Sequence, residues 1–362
     1  MFKIPVYKPS LTGNEKKYVN ECIDTEWISA KGRFVPLFEE KFSEFIGVKY
    51  ASTVSNGTIA LHLALIALGI GPGDEVIVPT FTYIAPVNSI VYVGAKPVFV
   101  DSLANNWQID PEDVKRKITD RTKAIIAVHL YGHPCDLNSL RKIADEKRIF
   151  LVEDCAEAFG SLYDNVHVGT VGDISTFSFY GNKTITTGEG GMVVTNDKTL
   201  YDRAKHYKGQ GLAKYREYWH DVIGYNFRMT NIASAIGLAQ LEQADEKINA
   251  KLEIARIYNE LIEGSSFEIQ KSDYNVRNTY WMYSVLVPKD KNRDDIRSTL
   301  EKNGIETRPT FYPVHTMPMY SAKYERHIVA EDVGWRGINL PSYPGLTSDD
   351  IAFIINTLKS AI

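Results

Sequence analysis

Cysteine is scarce in this 362-residue chain, which holds only Cys22, Cys135 and Cys155. An odd number at such wide spacing builds neither a disulfide framework nor a zinc motif. Long apolar runs are also missing: none approaches the ~20 residues that span a bilayer. The start, MFKIPVYKPSLTGNE, lacks the basic-then-apolar layout of a signal peptide. A cytoplasmic protein with no membrane partner is therefore expected. There is no basic excess either, since 41 Lys and Arg stand against 45 Asp and Glu. The two signs are mixed along the chain, which leaves no basic stripe and so no expected nucleic-acid partner. Repeats, low-complexity tracts and long linkers are absent too.

What is present is an alternation. Between about residues 50 and 200, short apolar runs occur at 75–79 (EVIVP), 97–100 (PVFV), 124–130 (AIIAVHL), 149–152 (IFLV), 176–179 (TFSF) and 192–195 (MVVT). Several are apolar without alternation, as strands covered on both faces are. Helical patterns at 58–68, closed by Gly69, and at 137–147 separate them. The spacing predicts a mainly parallel sheet with crossover helices. After residue 230 the pattern changes. Residues 232–259 read as one long helix, followed by an apolar run at 281–287 (WMYSVLV), a helix near 294–302 and a last helix from Asp349. The expected division is a large α/β domain with its N-terminal segment over 1–240 and a smaller α+β domain over 241–362.

Four features carry chemistry on that framework. Ser55-Asn56-Gly57-Thr58 precedes an apolar helix, where unpaired N–H groups and the helix dipole suit a phosphate. The same residues also suit a plain N-cap. Asp154 closes the run IFLVE at 149–153, at the carboxyl end of a strand, where open α/β sheets bind ligands. A carboxylate there can keep a pyridine nitrogen protonated, or simply cap a helix. Lys183 follows the run FSF with Ser178 inside it. Partial desolvation would lower its pKa and make it a nucleophile toward an aldehyde, although a solvated turn lysine is the commoner case. Finally, Thr186-Thr187-Gly188-Glu189-Gly190-Gly191 makes a tight turn, suited to close backbone approach or to an ordinary loop. Each signal is weak singly; their order along one sheet is not.

Two distractors are set aside. His129 and His133 stand four apart but straddle a strand end with Gly132 between them, so structural histidines are expected and no metal. The aromatic groups at 215–219 and 280–283 read as core or interface, not as a stacking platform for nucleic acid.

The run FSFYGNKTITTGEGGMVVTND at 177–197 resembles the lysine segment of the DegT/DnrJ/StrS aminotransferase family. The resemblance extends through SNGTIALHLALIALGIGPGDEVIVPTFTYIA, HLYGHPCD, VEDCAEAFG, GYNFRMTNIASAIGLAQLE and ETRPTFYPVHTMPMY, over nearly the whole chain. It implies the fold-type-I architecture of pyridoxal 5′-phosphate (PLP) enzymes: a mainly parallel mixed sheet in a large domain and a smaller α+β domain.

Carried over residue by residue, it implies that Lys183 holds the cofactor as a Schiff base and later shuttles the proton. Asp154 would pair with the ring nitrogen, and Glu157 would lie near the ring hydroxyl oxygen, where many relatives have Gln or His. Tyr83 would stack on the ring, and Gly57, Thr58 and Ser178 would hold the phosphate. Asn226 would reach the phosphate of a neighbouring subunit, making the unit a homodimer with a shared site. The implied reaction moves an amino group from L-glutamate to C4 of GDP-4-keto-6-deoxy-D-mannose by a ping-pong route. Trp27, Ser29, Lys31, Arg308, Tyr312 and His315 would meet the diphosphate, base or sugar. Amination of another nucleotide-linked keto sugar (UDP or dTDP, C3 or C4) and a non-catalytic regulator with this fold stay open. The family's dehydratase branch, which carries histidine in place of the lysine, does not match Lys183.

Overall fold

Strand β2 (Glu75–Pro79) is buried along its whole length and lies one place from the edge of the main sheet. The computed structural model describes residues 2–321 and 325–362. The sheet comprises β1 (Tyr50–Val54), β2, β3 (Lys96–Val100), β4 (Thr122–Val128), β5 (Phe150–Asp154), β8 (Ile174–Ser178) and β9 (Gly191–Thr195), in the order β1-β9-β8-β5-β4-β2-β3. Neighbours from β8 across to β3 run parallel, while β9 is antiparallel to both β8 and β1. Two-residue strands β6 (Leu162–Tyr163) and β7 (Val166–His167) join β11 (Val276–Arg277) in a small separate sheet.

Side-chain alternation explains why the strand runs read as continuously apolar. Ile77, Ile125 and Leu151 belong to one core cluster, and Val76, Val78, Ile126 and Val152 to another. The two faces of the sheet are thus both covered. Covering elements include α1 (Glu15–Asp24), α2 (Phe34–Ile46), α3 (Gly57–Leu68), α4 (Ile84–Tyr92), α5 (Pro111–Lys117), α6 (Leu137–Lys147) and α7 (Lys198–Lys208).

The long helix expected over 232–259 is two helices, α8 (Asn231–Leu241) and α9 (Ala244–Ile262). No Gly or Pro breaks it. The N-terminal segment grips the junction instead: Asn14 Nδ2 and Tyr18 OH both donate to the Glu242 carboxylate, at 2.7 and 2.6 Å. A Cβ on Gly13 would meet Gln243 Cδ at 2.9 Å. Tertiary contact overrides the local pattern.

Beyond α9 comes an antiparallel sheet of β10 (Glu268–Ile269), β12 (Tyr283–Leu286), β13 (Arg308–Pro309) and β14 (Gly337–Leu340), ordered β10-β12-β14-β13. Helices α10 (Arg293–Lys302), α11 (Ile328–Arg336) and α12 (Ser348–Ser360) accompany it. This unit has its own core, with Ile254, Val285, Ile338 and Ile354. Ile4 also belongs to that core and bridges Ile305, so the chain's first strand-like residues pack with its last third. Among the described residues, no helix is long and apolar enough to cross a membrane.

Candidate active site

The carboxyl ends of β5 and β8 and the first turn of α3 meet at a cavity of about 670 Å³. Asp154 and Ser178 are the last residues of their strands, and Gly57 is the first of its helix. Two glycines make that meeting possible. A Cβ on Gly57 would lie 2.7 Å from Ser178 Cβ, and one on Gly191 would lie 2.7 Å from the Asn56 carbonyl. The glycine turn therefore lets β9 press against the start of α3. Asn56 caps that helix: its side chain accepts from Ile59 N–H at 2.9 Å and its carbonyl from Ala60 N–H at 3.1 Å. The N–H groups of Gly57 and Thr58 have no partner among the described residues, which leaves the anion-binding end of the helix open to the cavity.

Lys183 sits in the turn after β8, and its side chain is 13% exposed. The turn is held from several directions. Lys183 N–H donates to the Tyr180 carbonyl at 2.9 Å, Tyr7 OH donates to the Lys183 carbonyl at 2.6 Å, and Trp281 Nε1 donates to the Asn182 carbonyl at 2.7 Å. Burial lowers the pKa of the amine, against the opposing pull of Glu157 and Asp154. Asp154 is buried, accepts from Ala156 N–H at 3.1 Å, and is pushed up by burial. Glu157 accepts from Tyr131 N–H at 2.9 Å, and its Oε1 lies 3.8 Å from Lys183 Nζ. Burial pushes this carboxyl up to about 7. An amine, two carboxyls and a helix start thus line one cavity.

The structure brings Lys183, Asp154, Glu157, Gly57, Thr58, Tyr83 and Ser178 together as lining of this cavity. Tyr83 is 56% exposed and lies at its rim. The other expected residues stand outside the lining. Asn226 is exposed, and its Oδ1 accepts from Arg228 Nε at 2.9 Å. Trp27, Ser29 and Lys31 are exposed on a segment pinned by Asn231, which donates through Nδ2 to the Trp27 carbonyl and through its backbone N–H to the Ser29 carbonyl. Arg308 is exposed and paired with Glu306 at 2.5 Å. Tyr312 OH accepts from Arg293 at 2.9 Å. His315 is buried, with Nδ1 2.7 Å from Thr80 Oγ1.

Sequence reasoning missed Trp281 and Phe311, which both line the cavity. Trp281 lies in an aromatic group that reads as core, and only its packing on the lysine turn reveals it.

His129, next to the strand end, uses both ring nitrogens within the protein. Ligand-type atoms of His129, Glu153 and Cys155 lie within 4.8 Å of one another. However, His129 Nδ1 accepts from Cys135 N–H at 3.0 Å, so Nε2 carries the hydrogen it directs at Glu153, 3.0 Å away. No imidazole lone pair is left for a metal.

Comparison with known proteins agrees with this geometry. The model of the DegT/DnrJ/EryC1/StrS aminotransferase family matches residues 9–359. The chain is 62% identical to a GDP-perosamine synthase of Escherichia coli O157:H7, with 98% of each chain covered. It is 51% identical to one from Vibrio cholerae, covering 99% of this chain and 98% of the relative. A Streptococcus pneumoniae protein solved in its PLP form superposes with a TM-score of 0.94 at 28% identity, covering 99% and 98% of the two chains.

Proposed function

The chain belongs to the DegT/DnrJ/EryC1/StrS aminotransferase family, and from that premise we propose that it transfers the amino group of L-glutamate to C4 of GDP-4-keto-6-deoxy-D-mannose, giving GDP-perosamine and 2-oxoglutarate. The carrying observation is the buried Lys183 amine, set beside two carboxyls and facing a helix start in one cavity. The likeness to GDP-perosamine synthases along nearly the whole chain supports the choice of sugar nucleotide.

The cofactor is pyridoxal 5′-phosphate, and the residues fit it. Gly57, Thr58 and Ser178 leave a cradle that a side chain at Gly57 would fill. Across the cavity Asp154 is a buried carboxyl with a single N–H donor among the described residues. Bound there, the cofactor supplies an aldehyde for the amine and a ring that takes up the electron pair released with the α-proton.

The chain's own residues do the rest. Burial shifts Lys183 toward the neutral amine, the form in which its Nζ can attack a carbonyl carbon and later accept and return a proton. Asp154 would favour a protonated ring nitrogen, and that opposite charge would work against the upward push that burial gives Asp154. The open N–H groups of Gly57 and Thr58 and the Ser178 hydroxyl bind the phosphate. Tyr83 covers a ring face from the rim.

Under the same proposal the active unit is a homodimer. Asn226 lies outside its own chain's cavity, and Tyr83, Tyr92 and Tyr180, which line it, are each more than half exposed. A second copy covering that rim would bring Asn226 to the phosphate. Trp27, Ser29, Lys31 and Arg308 are assigned to the sugar nucleotide in that assembly, whereas buried His315 and Arg293-bound Tyr312 belong to the frame.

The test is an assay of purified, PLP-loaded protein with L-glutamate and GDP-, UDP- or dTDP-linked keto sugars, with the amino sugar identified by mass. Turnover is expected with the GDP substrate, and initial-rate lines should be parallel. Turnover with UDP or dTDP substrates alone would overturn the choice of nucleotide. A protein that takes up no PLP would overturn the enzyme reading altogether.

A further inference from the structure

Lys183 is bonded to the cofactor for only part of an amino-transfer cycle; in the remainder its amine is free inside the cavity. Lys183 Nζ lies 3.7 Å from the ring centroid of Trp281, on the ring face. An ammonium over an indole at that distance is a cation–π contact, and a desolvated one is the stronger kind. We propose that the Trp281 face is the resting place of the Lys183 ammonium whenever that amine is free, which makes Trp281 a catalytic residue of the transfer. The proposal rests on the aminotransferase reading above.

The placement of Trp281 is over-determined, as a residue serving a reacting atom requires. Its Nε1 is bonded to the Asn182 carbonyl, one residue before the lysine. Its own carbonyl accepts at 2.9 Å from Lys251 Nζ, a buried amine that also donates to the Ser342 carbonyl and hydroxyl. Tyr131 stacks parallel to the indole, with centroids 6.2 Å apart and planes at 5°. The preceding residue, Tyr280, has φ 48, a strained left-handed conformation for a large side chain. The Asn278 side chain holds it there by accepting from Tyr280 N–H at 2.7 Å. A Cβ on Gly132 would meet Tyr280 N at 2.6 Å and Trp281 N at 2.9 Å, so the backbone around the indole has no slack.

Two stations therefore flank the amine: the Glu157 carboxyl at 3.8 Å and the indole face at 3.7 Å. Asp154 adds its charge to that of Glu157 at Lys183, and the Tyr7 hydroxyl bonds the Lys183 carbonyl. Tyr131, behind Glu157, is kept neutral by burial. Burial favours the neutral amine, and the ring face favours the ammonium. The indole thus holds the proton on Lys183 without adding a negative charge that would repel a glutamate carboxylate.

The test uses full-length protein loaded with pyridoxamine phosphate, in which Lys183 is a free amine. Acylation of Lys183 by acetic anhydride is followed against pH by peptide mass spectrometry in wild type, Trp281→Phe and Trp281→Leu. Phe and Leu both lack the indole N–H, so the difference between them reads the ring face alone. The half-reaction pH should fall by about one unit in W281L and clearly less in W281F. Coincident W281F and W281L profiles, or a W281L profile that does not fall, would overturn the proposal. Should W281L fail to fold, Trp281→Met supplies the same comparison. Failure of the wild type to take up the cofactor would sink the aminotransferase reading, whereas uptake with coincident profiles sinks only the role of Trp281.

Discussion

Glu153 and Glu157 are four residues apart, both buried, and burial by itself would push both carboxyls up. They go opposite ways. Around Glu153, burial is outweighed by His129 and by backbone N–H groups of Gly169, Val171 and Gly172, at 2.7, 2.9 and 2.6 Å. That carboxyl is held low. Around Glu157 there is one N–H, from Tyr131, and an amine 3.8 Å away, and the carboxyl rises to about 7. The number of donors separates a framework carboxylate from one poised to exchange a proton. The first region is closed on itself, and the second is left short of partners where the chemistry occurs.

The largest expected effect tests the open region. Lys183→Ala removes the nucleophile, the proton shuttle and the cation set against Glu157. Turnover should fall by about 10⁴-fold or more, while circular dichroism and the thermal midpoint stay close to wild type. Undiminished turnover would mean that the cavity is not where the amino group moves.

Next comes the closed region. Glu153→Gln keeps the shape but turns an amide N–H toward groups that all donate. It should destabilise the fold by about 3–5 kcal/mol in urea unfolding at pH 7. Because the folded-state pKa of Glu153 is lowered, the stability it contributes is present above the ordinary glutamate pKa and is lost as pH falls through the lower folded value. The variant should lack that acid-side loss. A change below about 1 kcal/mol would erase the distinction between the two glutamates.

Much of this is legible in the sequence, for identifiable reasons. Residues 76–79 of β2 and 124–128 of β4 are buried on both faces, so those stretches are apolar. Asp154 and Lys183 follow such runs, which marks them as strand-end residues. β1 (YASTV) escapes the pattern because its centre holds two hydroxyl residues, Ser52 and Thr53, which are buried all the same, Thr53 Oγ1 donating to Glu39 of α2 at 2.8 Å. The break at Glu242 and Gln243 is invisible, since its cause is the side chains of Asn14 and Tyr18 more than 220 residues away. Trp281 is hidden in the same manner. Its place over Lys183 depends on a left-handed Tyr280 and on Gly132, and neither announces itself in the string TYWMY. Sequence pattern reports burial and strand ends; it does not report which distant wall closes a cavity.

The smallest effect is the most discriminating. Glu157→Gln keeps the acceptor for Tyr131 N–H but removes the titration. A carboxyl raised from its ordinary value to about 7 binds its proton more tightly in the folded protein than in the unfolded chain. The stability this gives is present below the ordinary glutamate pKa and is lost as pH rises through 7. In cofactor-free wild type, urea unfolding at pH 5, 6, 7 and 8 should therefore show a decline that E157Q lacks. The variant should gain on wild type by up to roughly 3 kcal/mol across that range, with the Lys183 charge offsetting part of it. In the holoenzyme, where the family resemblance implies that Glu157 lies near the ring's phenolate oxygen, the visible absorption of the bound cofactor should titrate at a different pH in E157Q, because a neutral amide would neither repel that oxygen nor share a proton with it. Spectral titrations that overlay, together with parallel stability curves, would show that Glu157 is as fixed in its charge as Glu153, and that proximity to Lys183 alone does not make a carboxyl reactive.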